Sequence, residues 1–226
     1  RYRCNDCKKT MISERNLLTF SSKKEMSSWF KFIESLLDGD SIKVSAEKAN
    51  ISRRTAFRWR HKVMYIMNKK MNKKVLSGVV TLDETLFSNK YKSRMINSVS
   101  TIKKRGMSND KINVTCAIDD FDNAIIKVAD TGRVTSATLI NIYSGNIDQS
   151  ATVVSDSLRS YHKLMSHLKV DWIKIPSKKK SLGSYTLEPI NSLHALLKDF
   201  IYKYKGISIK YLQGYLALFE YQRKNR

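Results

Sequence analysis

Apolar positions in the first third of the chain recur at helical spacing. Met26, Trp29, Phe30, Phe32, Ile33, Leu36 and Leu37 mark one helix, which Asp38-Gly39-Asp40 stops. The stretch from 45 to 62 reads as helix, short turn, helix. Ala46, Ala49 and Ile51 should pack the turn, Ser52 is placed to cap the second helix, and Ala56, Phe57 and Val63 should face inward. Farther on the pattern changes to short β-rich runs. Residues 79–87, 112–118 and 124–129 predict three strands, the last two joined by the turn-rich Asp119-Asp120-Phe121-Asp122-Asn123. A helix over 136–143, a strand over 151–155, a helix over 158–168, a strand over 170–175 and a long helix from about 190 to 204 follow.

Three strands in a meander and then helix, strand, helix, strand, helix describe a mixed five-stranded sheet flanked by helices. That is a mixed α/β fold with the element order of ribonuclease-H-like domains, preceded by a helical helix-turn-helix region. The run Lys69-Lys70-Met71-Asn72-Lys73-Lys74 reads as a linker, which places a boundary between residues 75 and 76. A second charged loop is expected at Lys178-Lys179-Lys180-Ser181-Leu182-Gly183-Ser184.

Composition narrows the partners. Apolar residues make up 42% of the 226 positions, enough for a packed core rather than a disordered basic tail. No stretch approaches ~18 apolar residues, so no membrane span is expected. Three cysteines argue against a disulfide scaffold and for a reducing compartment. The first residue is Arg1, without a signal-peptide pattern, so the chain is expected to be a piece of a longer one. The net charge is +22. Self-repulsion of that size calls for a polyanionic partner, with nucleic acid ahead of an anionic membrane surface. Residues 1–75 hold 19 Lys and Arg against 7 Asp and Glu, more than twice the net charge density of the remainder.

Candidate chemistry sits at four places. The second front helix carries Arg53, Arg54, Arg58, Arg60 and Lys62, as a helix entering a major groove would, with Arg53 and Arg54 the better base readers. A solvated basic helix is the plainer alternative. Cys4-Asn5-Asp6-Cys7 is half of a zinc site, or a pair of surface thiols. Asp83 interrupts an apolar strand and Asp156 ends another, on strands expected to lie side by side. Paired carboxylates repel unless a cation joins them, and hard oxygen donors suit Mg²⁺ or Mn²⁺; Asp156 could instead cap the next helix. On the long helix, Leu193, Leu196, Leu197, Phe200, Ile201 and Tyr204 form an apolar stripe. Asn191, His194 and Lys198 fall at roughly 0°, 300° and 340° on the other side. Asn191 could offer a metal a carbonyl oxygen, Lys198 could hold a phosphate, and His194, ranked below Asn191, could ligate or handle protons.

These motifs together resemble insertion-sequence transposases of the DDE superfamily, in the branch whose third acidic position is often Asn followed by a Lys. The matching residues are Arg3-Cys4-Asn5-Asp6-Cys7, Thr55 to Lys62, Leu82-Asp83-Glu84, Val154-Ser155-Asp156 with Ser160-Tyr161, and Asn191-Ser192-Leu193-His194 with Leu197-Lys198. Gly206-Ile207-Ser208 and Lys210-Tyr211-Leu212 with Tyr215-Leu216 extend the match. The resemblance implies a partial zinc ribbon over 1–20, a helix-turn-helix over 21–75 and a ribonuclease-H-like catalytic domain over 76–226. It puts Asp83, Asp156 and Asn191 in a triad holding two Mg²⁺ or Mn²⁺, with Lys198 as the accompanying cation. It puts Cys4 and Cys7 in a Zn²⁺ site completed by residues before Arg1. It implies binding of terminal inverted repeats and target DNA, cleavage, and joining of a 3′-hydroxyl, by a homodimer or higher oligomer in a bacterial-type cytoplasm, at the nucleoid. Glu84 should point to the face opposite Asp83. A plain ribonuclease-H-like nuclease and a catalytically decayed DNA-binding protein are the alternatives.

Overall fold

The computed structural model describes residues 2–11, 18–19, 22–71, 74–88, 111–177, 179 and 181–225. Asn72 and Lys73 of the expected linker, and Lys178 and Lys180 of the charged loop, lie outside them. The chain forms two compact units, Arg1–Ile66 and Met67–Arg226.

The first unit opens with a small hairpin, β1 (Tyr2–Arg3) against β2 (Thr10–Met11). Its three helices are α1 (Met26–Leu37), α2 (Ile42–Lys48) and α3 (Arg53–Met71), the last running on into the second unit. Ser41 caps α2 through the Val44 N–H, and Ser52 caps α3 through the Thr55 N–H, as expected of hydroxyls at those positions. Trp29 stacks on Trp59 with ring centroids 3.5 Å apart, and Phe32 meets Trp59 edge-on. Leu36, Ala46, Ala49, Ala56, Val63 and Met64 complete this core. Two expectations fail here. Phe57 points outward, because Ala56, Trp59, Val63 and Met64 already occupy the inner face. Lys69, Lys70 and Met71 are the last turn of α3 rather than linker, since nothing before Asn72 breaks the helix.

The second unit is a five-stranded mixed sheet between helices. β3 (Val79–Ser88), β4 (Lys111–Ile118) and β5 (Ala124–Thr131) form an antiparallel meander. α4 (Ser136–Tyr143) leads to β6 (Thr152–Ser155), and α5 (Arg159–Leu168) leads to β7 (Asp171–Lys174). The order is β5-β4-β3-β6-β7, with β6 parallel to both neighbours, a ribonuclease-H-like arrangement. Helical crossovers are what parallel neighbours require. β8 (Ser181–Leu182) and β9 (Tyr185–Thr186) make a short hairpin before α6 (Glu188–Lys203) and α7 (Ile209–Lys224).

Val80, Leu82, Ala117, Ile125 and Val153 pack with Leu139, Tyr143, Tyr161, Leu164 and Leu168 of α4 and α5. The helices α6 and α7 bury Ile190, Leu193, Leu197, Leu212, Leu216 and Phe219. The open edge of β5 is closed by a side chain: Gln213 accepts from the Val128 N–H at 2.9 Å and donates to the Ile126 carbonyl at 3.3 Å. Gly78, at φ +70°, lets β3 start beneath Asp120, whose carboxylate accepts from the Val79 N–H. A Cβ there would lie 3.0 Å from Asp120 Oδ2. No helix among the described residues is long and apolar enough to cross a membrane.

Candidate active site

Strand alternation divides β3 between two environments. Leu82 belongs to the core beneath α4 and α5, so Glu84, two residues on, shares that side and Asp83 takes the other, towards α6. β3 and β6 run parallel with Leu82 opposite Ser155. One step further along the same register sets Asp83 beside Asp156, the first residue after β6. Asp156 Oδ1 accepts from the Leu158 N–H at 3.0 Å in a local turn just ahead of α5. Behind it, Trp172 donates its indole N–H to the Ser155 hydroxyl at 2.9 Å, which braces the end of β6 against β7.

The Asp83 carboxyl is raised to about 6, chiefly by burial; the Glu84 backbone N–H opposes this, the Asp156 charge adds to it, and the Lys198 ammonium draws it back. Asp83 therefore feels the Asp156 charge, and Lys198 supplies a counter-charge. His194 Nδ1 lies 3.8 Å from Asp83 Oδ2. Burial, and then Lys198, lower the imidazole to about 4, so at neutral pH the contact is not an ion pair. It is also too long for a hydrogen bond. His194 Nε2 is buried without a hydrogen-bond partner.

The α6 stripe is rotated from the one expected. Ile190, Leu193, His194, Leu197 and Phe200 are buried, whereas Leu196 is 55% exposed. His194 belongs to the inner face because the sheet opposite presents Asp83, a polar neighbour. Asn191 and Lys198 lie on exposed positions of the helix, one turn to either side of His194. Glu84 was passed over as a ligand and does lie on the other face. Burial raises it to about 7, and the nearby Tyr161 hydroxyl offsets only part of this. Alternation signalled its side of the strand; its burial depends on α5.

The donor set suits a hard divalent cation: two carboxylates, one of them held partly protonated by burial and by its neighbour, with an amide on the adjoining helix. Among the described residues no group of three or more His, Cys, Asp and Glu is placed to hold a metal. Asn191, an amide rather than one of these four residue types, stands on the adjoining helix α6.

The cations of α3 divide. Arg53, Arg54, Arg58 and Lys62 are exposed. Arg60 is 1% exposed and donates to the Asp40 carbonyl at 2.6 Å, so it ties the α1–α2 turn to α3 and cannot reach DNA. At the front hairpin, the Cys4 N–H donates to the Lys9 carbonyl and the Lys8 N–H to the Cys4 carbonyl. The backbone N–H groups of Cys7 and Asp6 hold the Cys4 thiol below its usual value, which favours the thiolate a metal requires.

Residues 75–224 match the family model of the ISXO2-like transposase domain. The chain belongs to this family. The transposase domain takes in the sheet and both helices around Asp83 and Asp156. Among solved structures, the chain is similar to a pre-cleavage Mos1 transpososome at 14% identity, covering 85% of this chain and 76% of that one, with a TM-score of 0.33. It is similar to the Mos1 mariner paired end complex with Mn at 15% identity, with 85% and 76% covered and a TM-score of 0.34. The simian T-cell lymphotropic virus intasome in complex with PP2A regulatory subunit B56 gamma gives 12% identity, 84% and 67% covered, and a TM-score of 0.39. These likenesses are distant, and none carries a residue role to this transposase. No curated protein matches the chain.

Proposed function

We propose that this transposase binds the terminal inverted repeats of its element through α3, cleaves the DNA at the site around Asp83 and Asp156, and joins the freed 3′-hydroxyl to target DNA. The observation that supports it most is the register of β3 and β6, which brings two half-buried carboxylates side by side beneath a helix carrying Asn191, His194 and Lys198.

Phosphodiester transfer places negative charge on the entering and leaving oxygens. Two Mg²⁺ or Mn²⁺ ions held by Asp83, Asp156 and Asn191 supply stabilisation of that charge when bound. Asp83 and Asp156 provide the anionic oxygens, and Asn191 a neutral one, which leaves one negative charge fewer facing the phosphate than a third carboxylate would. Lys198 holds the flank of the phosphate. His194, neutral at working pH, walls Asp83 from water without adding charge. After water has cut the strand, the 3′-hydroxyl takes its place as nucleophile in the same site. Cys4 and Cys7 offer two of the four thiolate or imidazole ligands of a structural Zn²⁺. Holding two element ends beside a target calls for a homodimer or larger assembly on DNA, in the nucleoid of a bacterial-type cytoplasm.

The test uses the full chain, Mg²⁺ and short duplexes carrying the terminal inverted repeat. Asp83→Asn or Asp156→Asn should abolish cleavage and joining while DNA binding persists. Cleavage that survives both changes overturns the assignment, and cleavage without joining in the parent chain makes it a plain nuclease.

A further inference from the structure

The strand β6 reads Thr152-Val153-Val154-Ser155, and its last residue is out of keeping with the two before it. Ser155 is 0% exposed, and a buried hydroxyl costs stability unless its hydrogen-bonding capacity is used. Here it is used twice. The Trp172 indole N–H donates to the Ser155 hydroxyl at 2.9 Å, and that hydroxyl donates to the Asp156 carbonyl at 3.0 Å. A serine hydroxyl has one proton, so accepting from the indole and giving to the carbonyl fix its rotor in one orientation. The indole is itself held. The His162 ring meets it edge-on with centroids 4.8 Å apart, and Lys174 Nζ stands 4.6 Å over its face. Alanine at position 155 would fill the core without making either bond. A relay thus runs from a ring anchored on the edge strand β7, through a buried hydroxyl, to the backbone of one of the two acids.

We infer that Ser155 and Trp172 are positioning residues, which hold the Asp156 backbone so that its carboxylate keeps the orientation a divalent cation needs beside Asp83. The inference rests on the proposal that Asp83 and Asp156 hold that cation. The two acids are supported differently. Asp83 lies within β3 and is paired with Cys116 of β4. Asp156 is the first residue after β6 and has no such ladder. Its side chain has a local tie, the Leu158 N–H on Oδ1. The Asp156 carbonyl springs from the same Cα as the carboxylate, so fixing that carbonyl fixes the backbone torsion between them. Groups behind a metal ligand orient it in this way, and their loss lowers metal affinity without removing a ligand.

The experiment measures Mn²⁺ binding at equilibrium, from the electron paramagnetic resonance signal of the free ion, on the full chain bound to a terminal-repeat duplex. Ser155→Ala and Trp172→Phe should each weaken Mn²⁺ binding about 10-fold, the loss expected when the support of a metal ligand is removed. The double variant should bind no more weakly than Ser155→Ala alone, because both changes break one chain of hydrogen bonds. Ser157→Ala is the control. Its hydroxyl donates to the Ile175 carbonyl at 3.3 Å in the same turn but outside the relay, so Mn²⁺ affinity should stay at the parent value. Thermal unfolding is recorded for each variant, and Trp172→Phe, which keeps a ring and loses the N–H, decides the matter if Ser155→Ala does not fold. A lower melting temperature with unchanged Mn²⁺ affinity overturns the inference, as do additive losses or an equal loss in Ser157→Ala. Asp156 still stands as a ligand in those cases so long as Asp156→Asn abolishes binding. Mn²⁺ binding undiminished in Asp156→Asn overturns the metal reading itself, and this inference with it.

Discussion

Glu220 lies on α7 with only 4% of its surface exposed, and Lys74 Nζ is 2.6 Å from its Oε1. Despite that partner its carboxyl is raised from 4.5, because burial outweighs the pull of Lys74, Lys127 and Arg223. Lys127, on the neighbouring strand, is lowered by burial for the same reason. The folded state therefore holds a proton on Glu220 more tightly than the unfolded chain does. That contribution to stability is complete below about pH 4.5 and is lost as pH rises through the raised folded value. Glu220→Gln should flatten this part of the stability profile, as read from urea midpoints across pH in the parent and the variant. An unchanged slope would show that Glu220 is not the group responsible. Another residue at this scale whose behaviour reverses its appearance is Arg60, a surface residue by type that is buried.

Arg60 acts between elements. Its guanidinium meets the Asp40 carbonyl at 2.6 Å, in the turn where Ser35 and Lys48 also hold the Asp40 carboxylate. Three helices are thereby fixed at one point. Arg60→Met should cost about 2 kcal/mol, because it strands a carbonyl that Arg60 now satisfies. Arg58→Ala, on the exposed side, should change stability by less than about 0.5 kcal/mol. Denaturant unfolding of the two variants checks the contrast, and equal effects would refute it. Element by element, the sequence pattern was clearest where one face of a segment was apolar. β3, α4 and α5 fit that description. α7 was not anticipated as a helix: Leu212, Tyr215, Leu216, Ala217, Leu218 and Phe219 are all buried, and a segment buried on most of its circumference has no stripe to read. On α6, a count of apolar residues placed Leu196 inside and His194 outside, and the polar patch at Asp83 reversed both.

Across the whole molecule, the +22 charge separates into cations with different duties. Arg53, Arg54 and Arg58 lie exposed on α3, Arg60 is structural, and the Lys198 charge acts on the Asp83 carboxyl. DNA affinity should fall steeply with salt, and neutralising Arg58 should reduce the log–log slope by about 0.9. A titration across ionic strength gives that slope directly, and an unchanged one would mean that Arg58 touches no phosphate. The sequence by itself determined the fold class and the family resemblance, and singled out two acids as candidates. These rest on short-range facts: alternation along a strand, periodicity along a helix, and the oddity of Asp in an apolar run. Only the tertiary structure decided that Asp83 and Asp156 share a register, that Arg60 turns inward and that Phe57 turns outward. Each depends on a neighbour distant in the chain: Ser155 for Asp83, Asp40 for Arg60, and Trp29 for the face of α3 that Phe57 leaves to Trp59. Burial and electrostatics act through space, so residues of one type on one helix can differ in duty in ways no local pattern records.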